Sequence, residues 1–130
     1  MKIVSMIARI LLGLIFAFFG ANLLFGFLHM PPLPPGTLRD YMTVMGSTHY
    51  LYVIGFFQFV PGLLLLVNRF VPLALTVLAA VIVNILSTHI LIMRGEGLFP
   101  MPILVMILWI LVFLQVRAAF TGIFQAKVQA

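Results

Sequence analysis

VIVNILSTHILIM, residues 81–93, decides the fold. It is apolar enough to enter lipid, yet it carries Asn84, Ser87, Thr88 and His89. It closes an apolar run that starts near residue 70. A helix rises ~1.5 Å per residue, and a hydrocarbon core ~30 Å thick takes ~20 residues. The run 70–93 therefore reads as a membrane span. Working outward, three more segments qualify: roughly 4–29, 50–67 and 99–116. Asn68-Arg69 separates the second from the third, with Pro72 placed to sit in the first turn of the new helix. RGEGLFPMP, residues 94–102, separates the third from the fourth. Pro61, inside the second, predicts a kink.

Composition agrees. Of 130 residues, 65% are hydrophobic and 7% charged, and the mean hydropathy is +1.31. A soluble domain is about a quarter charged, so the apolar surface here needs a bilayer to hide it. Cysteine is absent, which excludes disulfides, thiol chemistry and Cys-held zinc or iron–sulfur clusters. The net charge of +5 comes from few, scattered cations, a pattern of membrane topology rather than of nucleic-acid binding. The opening MKIVSMIARILLGLIFAFFGAN resembles a secretory signal. Its apolar run continues to about Leu28, longer than a signal core, so it is read as the first span.

Orientation follows from Lys and Arg. Lys2, Arg9, Arg69, Arg117 and Lys127 fall on one side; Arg39 and Arg94 fall on the other, with both acids, Asp40 and Glu96. The positive-inside rule places both termini in the cytoplasm. The long loop 30–48 then faces outward. Its MPPLPPG is stiff and extended. In TLRDYMTVMGS, Thr37 and Asp40 have the spacing of a capping box, and Gly46 is placed to stop a helix. Leu38, Tyr41, Met42 and Met45 share one helical face. This predicts a short amphipathic helix, either an interfacial anchor or a lid. Gly13, Ala17 and Ala21 on the first helix, and Gly55 and Gly62 on the second, predict close helix packing. The expected fold is all-α: one membrane domain over residues 1–130, a polytopic four-helix bundle with a short outer amphipathic helix between helices 1 and 2.

Asn22, Gln58 and Asn84 come from three different helices and lie at one depth, roughly 10–15 Å below the outer boundary. A lone amide in hydrocarbon costs several kcal/mol, so the three are expected to face inward and find each other. His29, His49 and His89 all fall in the outer half. Trp109 sits at mid-depth, where its N–H needs a partner. Two readings follow. In one, the amides are structural glue between helices. In the other, Asn22, Gln58, Asn84 and His89 line an outward-opening pocket for a polar headgroup such as a quinone carbonyl, with His89 as donor or proton acceptor and His49, Tyr41 and Met45 near its entrance. A metal or haem site has weaker grounds, because no two histidines are spaced i, i+3 or i+4. No acid lies inside a span, and there is no phosphate loop, nucleophile elbow or HExxH.

Three stretches carry a family resemblance: ARILLGLIFAFFGANLLFGF, GFFQFVPGLLLLVNRFVPLAL and VIVNILSTHI. With Gly20-x-Asn22, Arg69 with Pro72-Leu73-Ala74, and Asn84 with His89, the chain resembles the DoxX-like family of small membrane proteins over nearly its whole length. The resemblance implies a four-helix bundle in the bacterial cytoplasmic membrane. It also implies a link to redox biology, since the namesake group includes a small subunit of thiosulfate:quinone oxidoreductase. Where that family often carries Glu in the second helix, this chain has Gln58, which cannot ionise. Pro61 and Asn68 stand where the family often has Gly. The function expected is a redox-associated or quinone-interacting small subunit. The alternative is a non-catalytic structural or accessory subunit of a larger membrane complex. The partners expected are the lipid bilayer and other membrane subunits or further copies of the chain.

Overall fold

The computed structural model describes residues 2–27, 33–92, 94 and 101–124, and every element among them is helical. The helix α1 spans Lys2–Phe25, α2 Thr37–Ser47 and α3 Tyr50–Leu66. The helix α4, Val71–Ser87, runs directly into a π-helical turn, Thr88–Ile92. The helix α5, Met101–Val116, continues as a 3₁₀ segment, Arg117–Phe124. Three stretches are long and apolar enough to cross a membrane: Lys2–Phe25, Val71–Ile92 and Met101–Ile123. At 17 residues α3 is shorter, about 26 Å long and at the lower limit for a span. It forms a pair with α2, bent by 86°, and counting that pair brings the number to four. By length and composition, three to four of the helices are able to cross a membrane.

Four helices close a ring: α1 packs on α3 and α5, and α4 packs on the same two. Three of them contribute an apolar stripe at helical spacing to one core, and α3 adds Leu65. Ala8, Leu12 and Phe16 come from α1, Leu75, Leu78 and Ile82 from α4, and Val105, Leu108 and Val112 from α5. The opposite faces stay exposed and are just as apolar, as Ile3, Phe18, Val83 and Ile107 show. A helix apolar all round suits a lipid surround.

The α1–α3 contact is the most extensive, and glycine makes it so. A Cβ built on Gly62 would lie 2.5 Å from the Ala17 backbone nitrogen, and one on Gly20 2.5 Å from that of Phe59. The two backbones touch with no side chain between them, the close approach expected of small residues in membrane helices. Gly13, Ala17, Gly55 and Gly62 take the expected role. On α1 it is Gly20, rather than Ala21, that completes the stripe. The stripe i, i+4, i+7 from Gly13 lands on Gly20, whereas Ala21 points about 100° further round.

Helix ends correct three expectations. The first span was expected to reach residue 29, but α1 stops at Phe25 because Gly26 turns to φ 65° and donates to the Asn22 carbonyl at 2.7 Å. His29 and Glu96 lie outside the described residues. The capping box does not form: Gly36 takes the cap position, with no side-chain cap, and Thr37 becomes the first helical residue. Gly46 does not end α2, which continues through Ser47 and stops where Thr48 Oγ1 bonds the Val44 carbonyl and His49 turns left-handed at φ 62°. Between α3 and α4 the chain behaves as expected. Asn68 takes φ 56°, Asn68 N–H donates to Leu65 and Arg69 N–H to Leu64, the paired bonds of a Schellman turn. Asn tolerates this conformation nearly as well as Gly. The helix α3 passes through Pro61 unbroken. The Arg9 guanidinium donates to the Leu65 carbonyl in the last turn of α3, where the helix dipole favours a cation.

Gly46 has an ordinary helical backbone and open space around it, with Leu51 4.0 Å away as the nearest atom. Gly46→Ala is therefore expected to stabilise the protein by about 0.5–1 kcal/mol through the unfolded chain's lost entropy. A thermal melt showing loss instead would mean that α2 does not hold its helix at this position.

Candidate functional site

Two spaces meet at Gln58 and His89. The inner one, about 280 Å³, lies within the helix ring. Ile15, Phe16 and Phe19 wall it from α1, and Met101, Pro102 and Val105 from α5. Gln58 and His89 are its polar lining. The outer one, a groove of about 160 Å³, lies beneath α2. Tyr41, Met42 and Met45 line it from α2, and Asn84, Thr88 and His89 from the α4 end. The half-buried residues of α2 are Leu38, Tyr41, Met42 and Met45, the face its periodicity predicts. Gln58, Ile85 and His89 line both spaces and form the partition between them.

Gln58 is 8% exposed. Among the described residues nothing hydrogen-bonds its side chain, yet neither polar atom is sealed from the adjoining space. Its two donors and its acceptor therefore face the two spaces as unmet bonding capacity.

His89 is held differently. Its Nδ1 lies 2.8 Å from the Ile85 carbonyl. A carbonyl only accepts, so Nδ1 carries the hydrogen, and Nε2 of the neutral ring is left as an acceptor. Next to it, Thr88 Oγ1 donates to the Asn84 carbonyl at 2.9 Å. Two consecutive side chains thus bond backward to carbonyls four residues earlier, competing with the backbone ladder. The helix widens to a π turn here, a departure that recurs at functional sites.

The other expected site residues divide. Tyr41 and Asn84 reach the groove with Gln58 and His89. No described hydrogen bond joins Gln58 to Asn84. Asn84 is exposed and shares a stripe with Val77, Ala80 and Val81 that faces a groove against α3. Depth put Asn84 level with Gln58, but its azimuth turns it away from the core. Asn22 is engaged in an interaction of its own and lies on the α1 face of Ile15 and Phe19, at i+7 and i+3. His49 stays outside: it is exposed at the bend between α2 and α3 and stacks on Tyr52, with ring centroids 5.6 Å apart. Trp109 Nε1 finds its partner in the Leu75 carbonyl at 2.9 Å, and the indole stacks on Phe113. Sequence reasoning missed the cavity walls on α1 and α5, which carry no polar signal beyond Ile15 and Phe19 standing in register with Asn22.

Among the described residues no three of His, Asp and Glu gather as a metal-ligand set. The arrangement is one of hydrogen bonding within apolar walls. No family model matches the chain, and neither does any curated protein or solved structure.

Proposed function

We propose that the chain is a DoxX-like four-span bundle of the bacterial cytoplasmic membrane, with both termini cytoplasmic, that binds a quinone-class headgroup between Gln58 and His89. One observation carries this reading: two polar side chains, Gln58 and His89, line both of two adjoining apolar spaces, and the Gln58 amide makes no described protein hydrogen bond. Ligand sites of this kind are mostly apolar with a few converging polar groups. The Gln58 amide donates to a quinone carbonyl. The His89 Nε2 lone pair accepts from a quinol hydroxyl and finds no donor on an oxidised quinone, so His89 favours the reduced, hydroxyl-bearing headgroup. Met42, Met45 and Tyr41 suit the entrance, because methionine adapts to varied apolar shapes. The chain contributes binding and a proton acceptor, in keeping with a redox-associated small subunit.

Trp109 is the single tryptophan and lies one helical turn from Val105, which lines the inner cavity. Titrating the purified protein with a short-tailed ubiquinone analogue is expected to quench its fluorescence saturably. With the analogue in its reduced, quinol form, the His89→Ala variant is expected to need about tenfold more of it, the loss of one hydrogen bond of about 1.4 kcal/mol. Quenching that rises linearly, alike in both proteins, would reflect partition into detergent and would remove the proposal.

The second reading, an accessory subunit, draws on the exposed phenylalanines of α1 and α3. Phe18 stands edge-on to Phe19 and Phe27, and Phe56 to Phe57. Such a face is apt for another membrane helix. Co-purification with larger subunits, together with linear quenching, would favour this reading.

A further inference from the structure

We propose that a groove at the other end of the ring binds a phosphate-bearing anion, which in a membrane is the headgroup of an anionic phospholipid. This inference rests on the membrane reading alone and not on the cavity at Gln58.

The groove holds about 310 Å³ and lies between the start of α1, the α3–α4 turn and the end of α5. Its polar lining is Lys2, Arg9, Asn68 and Gln115. Lys and Arg only donate, and the two amides add further donors. Among the described residues no carboxylate lines the groove. The chain has two acids: Asp40 belongs to α2, and Glu96 falls between the π turn and α5. Two more cations adjoin the groove in sequence, since Arg69 follows Asn68 and Arg117 follows Val116.

Arg9 is the fixed member. It is half-buried, and one arm of its guanidinium is tied to the Leu65 carbonyl. The remaining N–H groups keep the planar fork that matches phosphate oxygens. The first residue of α4, Val71, also lines the groove, which puts the positive end of that helix dipole at the same place. Met6, Val112 and Val116 supply an apolar wall, suited to the glycerol and first methylenes of a lipid. Basic pockets between spans are where anionic headgroups bind.

The test uses the full chain purified in a neutral detergent. Native mass spectrometry and thermal unfolding are followed with added phosphatidylglycerol, phosphatidylcholine and, separately, inorganic phosphate. Phosphatidylglycerol is expected to be retained and to raise the melting temperature, and phosphatidylcholine to do neither. Lys2→Gln is expected to weaken retention about fivefold, the share of one cation near an anionic headgroup, and Arg9→Gln more. Arg9→Gln also loses the bond to Leu65 and can fail to fold. Lys2 is exposed and makes no described hydrogen bond, so Lys2→Gln keeps the test decisive. Arg39→Gln, on α2, is the control and is expected to change nothing. Protection by inorganic phosphate as well supports the site and assigns recognition to the phosphate alone. Protection by the lipid only assigns it to headgroup and chains together. Equal retention of the two lipids, or equal effects of Lys2→Gln and Arg39→Gln, would overturn the proposal.

Discussion

Gly62→Ala is expected to destabilise the protein by about 2–3 kcal/mol, the cost of forcing a methyl into a packed interface. In an isolated helix the same change would help by about 1 kcal/mol. The sign of the effect is therefore diagnostic. The new methyl would stand 2.5 Å from the Ala17 nitrogen and 2.9 Å from the Gly13 oxygen. Those are backbone atoms, which cannot rotate aside, so α1 and α3 would have to separate along their length. Gly20→Ala is expected to behave alike, against Phe59 and the Gly55 carbonyl. Gly122→Ala meets nothing within 4 Å and serves as the control. Thermal unfolding of the three variants in one detergent checks the point. A Gly62→Ala protein as stable as Gly122→Ala would mean that the two backbones are not in contact.

Gln58→Leu is expected to divide stability from binding. Replacing an amide that makes no described protein hydrogen bond with an apolar group of similar size should leave stability within about 1 kcal/mol of the parent. Binding of the ubiquinone analogue should fall by about tenfold or more, since the headgroup loses its donor. If the amide were glue between helices, the pattern would reverse: stability would drop and ligand affinity would not respond. Gln58→Glu refines the result. A carboxylate at this position could ionise, and a pH dependence of analogue binding that the parent protein does not show would mean that the headgroup lies close enough to the Gln58 position to feel its charge.

How much of this was legible in the sequence depended on whether a feature was periodic or relational. The buried face of α2 was legible because Leu38, Tyr41, Met42 and Met45 repeat at helical spacing. The turn at Asn68 was legible because a polar pair interrupts an apolar run and proline follows. The end of α1 was not, since Gly26 and Phe27 continue the hydropathy while Gly26 alone redirects the backbone. Gly20 was passed over for Ala21 because the choice between neighbouring stripes depends on how two helices cross. The amides show the same limit. Counting residues located Gln58, Asn84 and Asn22 in depth, but which way each faces depends on the register of the partner helix. The π turn was hidden too, although Thr88 and His89, both able to bond backward, stood where it forms.

The order of the ring has a consequence for biogenesis. The inner cavity is walled by α1 and α5, and α2, α3 and α4 leave the ribosome between them. α1, α3 and α4 can pair as they emerge, sealed by the glycine contact, while the cavity is still a cleft open to lipid on one side. It gains its wall of Met101, Pro102 and Val105 only when α5 docks. A lipophilic ligand can therefore be captured sideways during assembly, and a chain truncated before Met101 should insert and pair its helices yet retain nothing.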